Sequence, residues 1–303
     1  MAEGDIGRFL DPAVLARLSA QRLLARLPME GNISGHHRSP HRGSSVEFAE
    51  YRVYSPGDDI RRLDWRVFGR TDRFYIKEFE ADTNLRCQLV LDTSGSMGFG
   101  SGMSTKLEFA KRMAATLAYL LIKQGDAVGL DILGNGLDRH LPARRNPSHL
   151  QLIGGLLEGA SASGATGLAA SLHDLAEEIR QRALIVVFSD LFGDEESLIS
   201  AFQHLRFKKH DLVVFQLLDR HEVDFPFSQP VRFEDMESSF NLVCEPGLIR
   251  DEYLSQLGSF LNNVKAACHR LNADYHQLMT DEGFESVLGP FLVSRAQAGV
   301  SGR

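Results

Sequence analysis

From Leu85 onward, short apolar runs alternate with longer segments that show helical periodicity. Apolar runs of four to eight residues are typical of strands buried on both faces. Strands that alternate with helices indicate a mostly parallel sheet covered by helices. The sequence therefore predicts an α/β fold built on a doubly wound, mostly parallel sheet. Its strands are predicted at 85–92, 127–133, 183–188, 212–218 and 274–279.

The residues before this alternation have a different character. Residues 1–83 are predicted to form an N-terminal helix, a basic loop and a small β-rich appendage, and residues 84–295 the main domain. Within the main domain, 219–245 is predicted to be an irregular elaboration, and 296–303 a flexible tail. Acidic and basic residues interleave over 46–83, which indicates either an ion-pair network or a charged face for a partner.

Composition limits the classes of function that the chain can have. It has 303 residues, a formal net charge of −7 and three widely separated cysteines. The negative charge argues against bulk affinity for nucleic acid or anionic membranes, and the cysteines do not suggest a disulfide framework. No apolar run approaches the length of a membrane span, and no signal sequence is evident. We therefore expect a cytoplasmic protein without a nucleic-acid partner.

The loop after the first predicted strand is the strongest candidate for a functional site. The strand ends at Asp92, and Ser94 and Ser96 follow within the sequence DTSGSMGFGSG. A carboxylate at the carboxyl end of a buried strand, before a glycine-rich turn into a helix, lies where open α/β sheets bind ligands. One carboxylate and two hydroxyls suit a hard divalent cation. The loop is therefore a candidate metal site.

Two later loops of the same predicted sheet also carry oxygen donors. They are 163–167, with the sequence SGATG, and Ser189-Asp190. Loops from different strands converge where the strand order of a doubly wound sheet reverses. Together the three loops resemble the metal-ion-dependent adhesion site of von Willebrand factor A domains. That site combines a DxSxS loop with a threonine on a second loop and an aspartate on a third.

This resemblance implies a role for each matching residue. Ser94 and Ser96 would bind the cation through their hydroxyls, Thr166 directly or through water, and Asp92 and Asp190 largely through coordinated waters. One coordination position would stay open for an Asp or Glu of another protein, since Mg²⁺ takes about six oxygen ligands. The expected cofactor is Mg²⁺, with Mn²⁺ or Ca²⁺ as alternatives, and the implied chemistry is binding rather than catalysis.

A segment before the first strand resembles a narrower family. Residues 54–65 carry the pattern YxxGDDxRxxDW, which is similar to that of domain-of-unknown-function 58 proteins, and the likeness spans roughly residues 35–295. Those proteins carry a von Willebrand A-like domain and are commonly associated with MoxR-type AAA+ ATPases. The resemblance implies a non-enzymatic adaptor or co-chaperone for such an ATPase. An unidentified client protein would supply the acidic residue to the metal.

Some catalytic sites also place an Asp at the end of a strand. A haloacid-dehalogenase-type phosphatase needs a second carboxylate two residues after its nucleophile, where this chain has Ser94. A serine hydrolase needs a GxSxG elbow, and the glycine is missing before Ser94. Two alternatives stay open, which are a metal-dependent phosphoester hydrolase and a metal with a purely structural role.

Overall fold

The computed structural model describes residues 6–19, 23, 37–38, 47–54, 64–71, 73–80, 82–83, 85–102, 104–134, 136–165, 167–237 and 240–301. The chain divides into two compact units. The sheet unit comprises Met1–Arg26 and Arg86–Arg303, and the small unit comprises Leu27–Leu85. Among the described residues, no helix is long and apolar enough to cross a lipid bilayer.

The helices and strands of the described residues follow in chain order. The strands are β1 (His37–Arg38), β2 (Glu47–Val53), β3 (Tyr75–Glu80), β4 (Asp82–Thr83), β5 (Arg86–Asp92), β6 (Ala127–Leu133), β7 (Leu137–Arg144), β8 (Leu184–Ser189), β9 (Asp211–Leu218), β10 (Val231–Glu234), β11 (Asn241–Cys244) and β12 (Asp274–Met279). The helices are α1 (Pro12–Leu18), α2 (Trp65–Thr71), α3 (Lys106–Gln124), α4 (His149–Gly159), α5 (Leu168–Glu178), α6 (Glu195–Phe207), α7 (Arg220–Asp224), α8 (Pro246–Arg270) and α9 (Glu285–Ser301). Short 3₁₀ turns cover Ile6–Phe9 and Gly95–Gly98.

Six of the described strands form one sheet in the order β12-β9-β8-β5-β6-β7. The pairs from β12 to β6 are parallel, and β7 pairs with β6 in the antiparallel direction. The predicted doubly wound, mostly parallel α/β sheet is therefore confirmed. The chain passes from β5 to β6 on one side and then returns to β8 on the other. The strand order thus reverses between β5 and β8, where such sheets bind ligands.

The central strands are buried on both faces because helices cover both sides of the sheet. One face packs against α5, α6 and α8 through a cluster that includes Val90, Val187 and Phe202. On the other face α3 contacts β5 and β6, and Phe291 of α9 packs edge-on against Phe215 of β9. Every residue of β6, β8 and β9 is buried, which agrees with the continuous apolar runs.

The helix α3 has clear local reasons for its bounds. Thr105 caps its start, because its hydroxyl accepts a hydrogen bond from the Glu108 amide at 3.2 Å. Gly125 ends it with a left-handed φ of 86°, a conformation in which glycine carries little steric cost. The first turn of α3 therefore has a fixed position directly after the predicted metal loop.

The N- and C-terminal segments both belong to the sheet unit. The sequence prediction drew a boundary at residue 83, whereas Met1–Arg26 groups with the sheet, where α1 contacts α3 and α9. The predicted tail at 296–303 begins inside α9, which continues to Ser301. The predicted elaboration at 219–245 contains α7 and an antiparallel hairpin of β10 and β11.

The described residues of the small unit form paired strands and one short helix. In it β2 pairs with β3 and β1 pairs with β4, both antiparallel. Asp64 begins α2, because its carboxylate accepts hydrogen bonds from the amides of Arg66 and Val67. Asp64, the last Asp of the YxxGDDxRxxDW pattern, is thus a helix cap in this structure. Most of the predicted basic loop at 31–45 lies outside the described residues.

Candidate functional site

Asp92 is the buried carboxylate at the carboxyl end of β5. One oxygen accepts a hydrogen bond from the Ser94 amide at 2.9 Å, and the other accepts one from the Ser189 hydroxyl at 2.5 Å. Burial, and then the nearby charge of Asp190, raise the pKa of Asp92 to about 6. Among the described residues, no Lys, Arg or His forms an ion pair with it. The Asp92 carboxylate is therefore stabilised by uncharged hydrogen-bond donors and not by a described cation.

The two predicted hydroxyl ligands lie together beside this carboxylate. Ser94 precedes the 3₁₀ turn Gly95–Gly98, and its oxygen lies 3.1 Å from that of Ser96. Ser94 is fully buried, whereas Ser96 is only partly buried. The turn therefore directs two oxygen donors to one point, with one of them accessible from outside.

The second predicted loop is hydrogen-bonded to the first. The Gly95 amide donates to the Gly164 carbonyl at 2.9 Å, and the Ser163 amide donates to the Thr93 carbonyl at 3.0 Å. The Gly167 amide in turn donates to the Gly134 carbonyl at 3.2 Å. Residues on both sides of Thr166 are thus tied to the carboxyl ends of β5 and β6. Thr166 itself lies outside the described residues, so its position stays a prediction.

Asp190, the last predicted ligand, makes an ion pair that sequence reasoning missed. It is buried directly after β8, and one oxygen lies 2.7 Å from the Lys106 ammonium. The same ammonium lies 2.6 Å from Glu222, and no part of the Lys106 side chain is exposed. Burial favours the neutral amine, but the charges of Asp190 and Glu222 outweigh it and raise the pKa of Lys106. Lys106 therefore stays charged at the centre of the network.

A sequence signal for Lys106 does exist. It is the first residue of α3, where the helix dipole disfavours a cation. A lysine at this position needs nearby carboxylates, and the candidate loops supply them. The Phe192 and Phe99 rings complete its surroundings, with centroids 5.1 and 5.9 Å from the ammonium.

A further loop, after β9, was not among the predicted site residues. Asp219 and Glu222 form a capping box at the start of α7. The Asp219 carboxylate also accepts hydrogen bonds from the Ser101 amide at 2.8 Å and from the Ser101 hydroxyl at 2.5 Å. These bonds connect the glycine-rich loop to the end of β9. They also place Glu222 against Lys106.

The donor chemistry of this site fits a hard divalent cation. Asp92, Ser94, Ser96 and Asp190 offer only oxygen atoms, which suit Mg²⁺ better than a soft metal. Among the described residues, no group of three or more His, Cys, Asp and Glu is arranged to hold a metal, so a site here depends on the hydroxyls. Asp190 and Glu222 share the ammonium of Lys106, and Asp92 has no cationic partner among the described residues, so a divalent cation would balance the excess negative charge.

Comparison with known proteins places the chain in a family. The sequence profile described as "Protein of unknown function DUF58" matches residues 50–257. The chain belongs to the DUF58 family. This result confirms the resemblance seen in residues 54–65, which lie inside the matched range.

Two relatives of this DUF58 protein are described as uncharacterised proteins. One from Mycobacterium tuberculosis is 28% identical over 309 residues, which covers all of this chain and 95% of the relative. The protein YeaD of Bacillus subtilis is 30% identical over 106 residues, covering 35% of this chain and 24% of the relative.

Solved structures give further similarities to the DUF58 chain. An aerotolerance-related membrane protein from Bacteroides fragilis matches with 17% identity and a TM-score of 0.48, over 71% of this chain and all of that one. The SpRpn10 VWA domain matches with 15% identity and a TM-score of 0.40, over 72% of this chain and 97% of that one.

Proposed function

We propose that this DUF58 protein is a non-enzymatic, divalent-metal-dependent protein-interaction module. In this proposal Asp92, Ser94, Ser96, Thr166 and Asp190 hold Mg²⁺, or Mn²⁺ or Ca²⁺, at the switch point of the sheet. The bound cation supplies a charge to which a carboxylate of a partner protein can bind. The proposed partner is a MoxR-type AAA+ ATPase, with which the chain acts as an adaptor or co-chaperone for a client.

The charge imbalance at the switch point is the observation that carries the proposal. Asp92 is buried without a cationic partner among the described residues, and its pKa is raised to about 6. A buried carboxylate costs free energy unless it is paired or binds a metal. The Ser94 and Ser96 hydroxyls beside it are only 3.1 Å apart, and Ser96 is partly exposed. Both features favour a cation that a second protein can reach.

Each residue of this chain has a separate part in the proposed binding. Ser189 orients Asp92 through the 2.5 Å hydrogen bond, and its own oxygen accepts from the Leu191 amide at 2.8 Å. Lys106 neutralises part of Asp190 and so limits how much charge the metal must balance. The hydroxyls of Ser94 and Ser96 carry no charge, so they bind the cation without adding to the negative charge that a partner's carboxylate would meet.

A pull-down with the cognate MoxR-type ATPase tests this proposal. Binding is measured with Mg²⁺ and with EDTA for the wild type, Asp92→Ala and the double variant Ser94→Ala/Ser96→Ala. We expect chelation and both variants to abolish binding. The double variant Ser255→Ala/Ser259→Ala is a matched control, because it removes two exposed hydroxyls on α8.

The pull-down, combined with melting temperatures, distinguishes a metal bridge from a metal with a purely structural role. In that case Mg²⁺ raises the melting temperature of the wild type and not of Asp92→Ala, by mass action on the folded state. Binding of the ATPase would then be unchanged by EDTA at a temperature where all variants are folded. That pattern would refute the metal bridge.

A further inference from the structure

A cavity of about 630 Å³ lies beside the candidate metal loop. It is lined by the β10–β11 hairpin, by α7 and α8, and by residues 96, 99, 192 and 193. We call it the aromatic pocket, because Phe225, Phe227, Phe233 and Tyr253 form its walls. Its volume is within the range of about 300 to 1,000 Å³ that is typical of ligand sites.

The aromatic walls hold one another in place. The ring centroids of Phe225 and Tyr253 are 4.7 Å apart, and those of Phe227 and Phe233 are 5.3 Å apart. Phe225 has a φ of 46°, a left-handed conformation that is rare for a bulky residue. Arg250 supports it by donating hydrogen bonds to the carbonyls of Phe225 and Asp224. A wall that is already ordered loses little conformational entropy when a ligand binds.

The hairpin gives the pocket an apolar mouth. Phe233 of β10 lies opposite Leu242 of β11, so both side chains point to the same face, which lines the pocket. Leu242 is 45% exposed and Met236, at the hairpin tip, is 46% exposed. Large apolar side chains at an open mouth indicate a surface that another molecule covers.

The charges around the mouth have one sign. Glu234, Asp235 and Glu237 line it, and its described lining residues include no Lys or Arg. Arg232 pairs with Glu234 at 3.2 Å, but both side chains are largely exposed, so the pair is weak. Carboxylates around aromatic faces complement a cationic side chain through both charge and cation–π attraction.

The pocket and the candidate metal loop form one continuous surface. Ser96 lines the pocket as well as facing Ser94. A Cβ added at Gly95 would overlap the carbonyl of Met236, so the hairpin tip rests directly on the loop. Glu222, another lining residue, is joined to Asp190 through Lys106.

We propose that the aromatic pocket binds a segment of the partner protein that carries a large apolar side chain next to Lys or Arg. The apolar side chain enters between the aromatic walls, and the basic residue pairs with Glu234. The placement beside the cation rests on the proposed function, since the same partner would offer its carboxylate there. The pocket thus adds a specificity that a metal bridge alone does not have.

A selection from a random 12-residue peptide library, displayed on phage, tests the pocket without knowledge of the partner. The full chain in Mg²⁺ is the target, and the Kd of each selected peptide is then measured by fluorescence anisotropy. The variant Leu242→Lys places a positive charge in the pocket mouth. Val243→Lys is its matched control, because Val243 is the next residue of β11, is 68% exposed and does not line the pocket.

We expect selected peptides to combine a large apolar residue with Lys or Arg, and to bind Leu242→Lys at least about tenfold more weakly. Val243→Lys should change their Kd less than about twofold, and Glu234→Gln should weaken them moderately and reduce the salt dependence. The inference is overturned if no sequence is enriched, if selected peptides lack basic residues, or if the two lysine variants behave alike. It is also overturned if Leu242→Lys dissolves a dimer in sedimentation, because a second copy would then be the occupant.

Chelation separates this inference from the proposed function. If EDTA and Asp92→Ala weaken the peptides but Leu242→Lys does not, the metal bridge holds and the pocket assignment fails. If Leu242→Lys weakens them while EDTA and Asp92→Ala do not, the pocket assignment holds, and the ATPase pull-down with EDTA decides separately whether the metal bridge fails.

Discussion

The two ends of the sheet both bury charged side chains, but they balance the charges differently. Where β9 and β12 begin, the Arg295 guanidinium lies 2.6 Å from Asp211 and 2.6 Å from Asp274. Arg206 adds a second cation, 3.7 Å from Asp211. Among the described contacts of this cluster, two carboxylates thus meet two guanidinium groups, so these charges are balanced without any ligand.

At the opposite end, where the strands finish, carboxylates outnumber cations. Asp92, Asp190, Asp219 and Glu222 lie there, and Lys106 pairs with two of them. Asp92 and Asp219 are held by hydroxyl and amide donors instead. An excess of negative side chains costs stability. Its presence at the switch point therefore indicates a site where a cationic ligand binds. The neutral end is structural, and the acidic end is the candidate site.

Removal of Arg295 should give the largest loss of stability. Arg295→Met leaves the buried Asp211 and the partly buried Asp274 without their main partner, which costs about 3 to 5 kcal/mol of unfolding free energy. Chemical denaturation in EDTA and in Mg²⁺ measures it, and we expect the same loss in both. Arg17→Met should cost less than about 1 kcal/mol, because the Arg17–Glu285 pair is on the surface. If Mg²⁺ restored the unfolding free energy of Arg295→Met, this end of the sheet would bind a cation, which contradicts its assignment as a purely structural cluster.

Removal of Lys106 should be nearly as costly, but the loss should depend on metal. Lys106→Met leaves Asp190 and Glu222 unpaired, at a cost of about 3 kcal/mol in EDTA. We expect Mg²⁺ to recover part of it, because a divalent cation would replace the missing charge. Lys111→Met is the matched control, since Lys111 is also buried on α3 but pairs with Glu108. An equal loss for Lys106→Met in EDTA and Mg²⁺ would argue against a cation here.

The sequence predicted the acidic end better than the charge balance within it. Asp92, Ser94 and Ser96 are read from one loop, and their strand is evident from its apolar run. The pairing of Lys106 is not, because Asp190 and Glu222 are 84 and 116 residues away in the chain. Such contacts depend on the strand order, which periodicity does not specify.

In the fold, too, local features can be predicted from the sequence, whereas contacts between distant segments cannot. Helix caps such as Thr105 and Gly125 are local, because the residues that start and end α3 lie next to it in the sequence. The β10–β11 hairpin was expected only as an irregular segment, because its short strands mix apolar and charged residues. Its place against Gly95 is a tertiary contact with no sequence signature. The aromatic pocket therefore came from the structure alone.

At the end of the sheet where β9 begins, protonation of His210 should lower the stability of the fold in acid. The ring is buried before β9, its Nδ1 accepts the Ala183 amide at 3.2 Å, and burial followed by the charge of Arg182 lowers its pKa to about 4. The unfolded state, with a pKa near 6.5, binds more protons between these values. The contribution of His210 to the unfolding free energy is therefore complete above pH 6.5 and is lost as the pH falls toward 4, by at most about 3 kcal/mol.

His210→Gln tests this assignment, because the glutamine keeps an acceptor for Ala183 but does not titrate. Unfolding free energies are measured between pH 4.5 and 8, a window set by these pKa values. We expect a flatter dependence for the variant, whereas His269→Gln, on an exposed position of α8, should follow the wild type. Parallel curves for His210→Gln and the wild type would show that another group controls the acid response.

The smallest expected effect comes from a change that shifts the position of Lys106 but keeps its charge. Thr105→Ala removes the cap of α3 one residue before Lys106, and Asp194→Ala removes the equivalent cap of α6. Each should cost about 1 kcal/mol. Only Thr105→Ala should also strengthen Mg²⁺ binding in calorimetry, because fraying of the first turn lets the ammonium leave Asp190 and leaves the site more negative. If the two variants bind Mg²⁺ alike, then Lys106 contributes only stability, and the acidic end does not depend on a fixed internal cation.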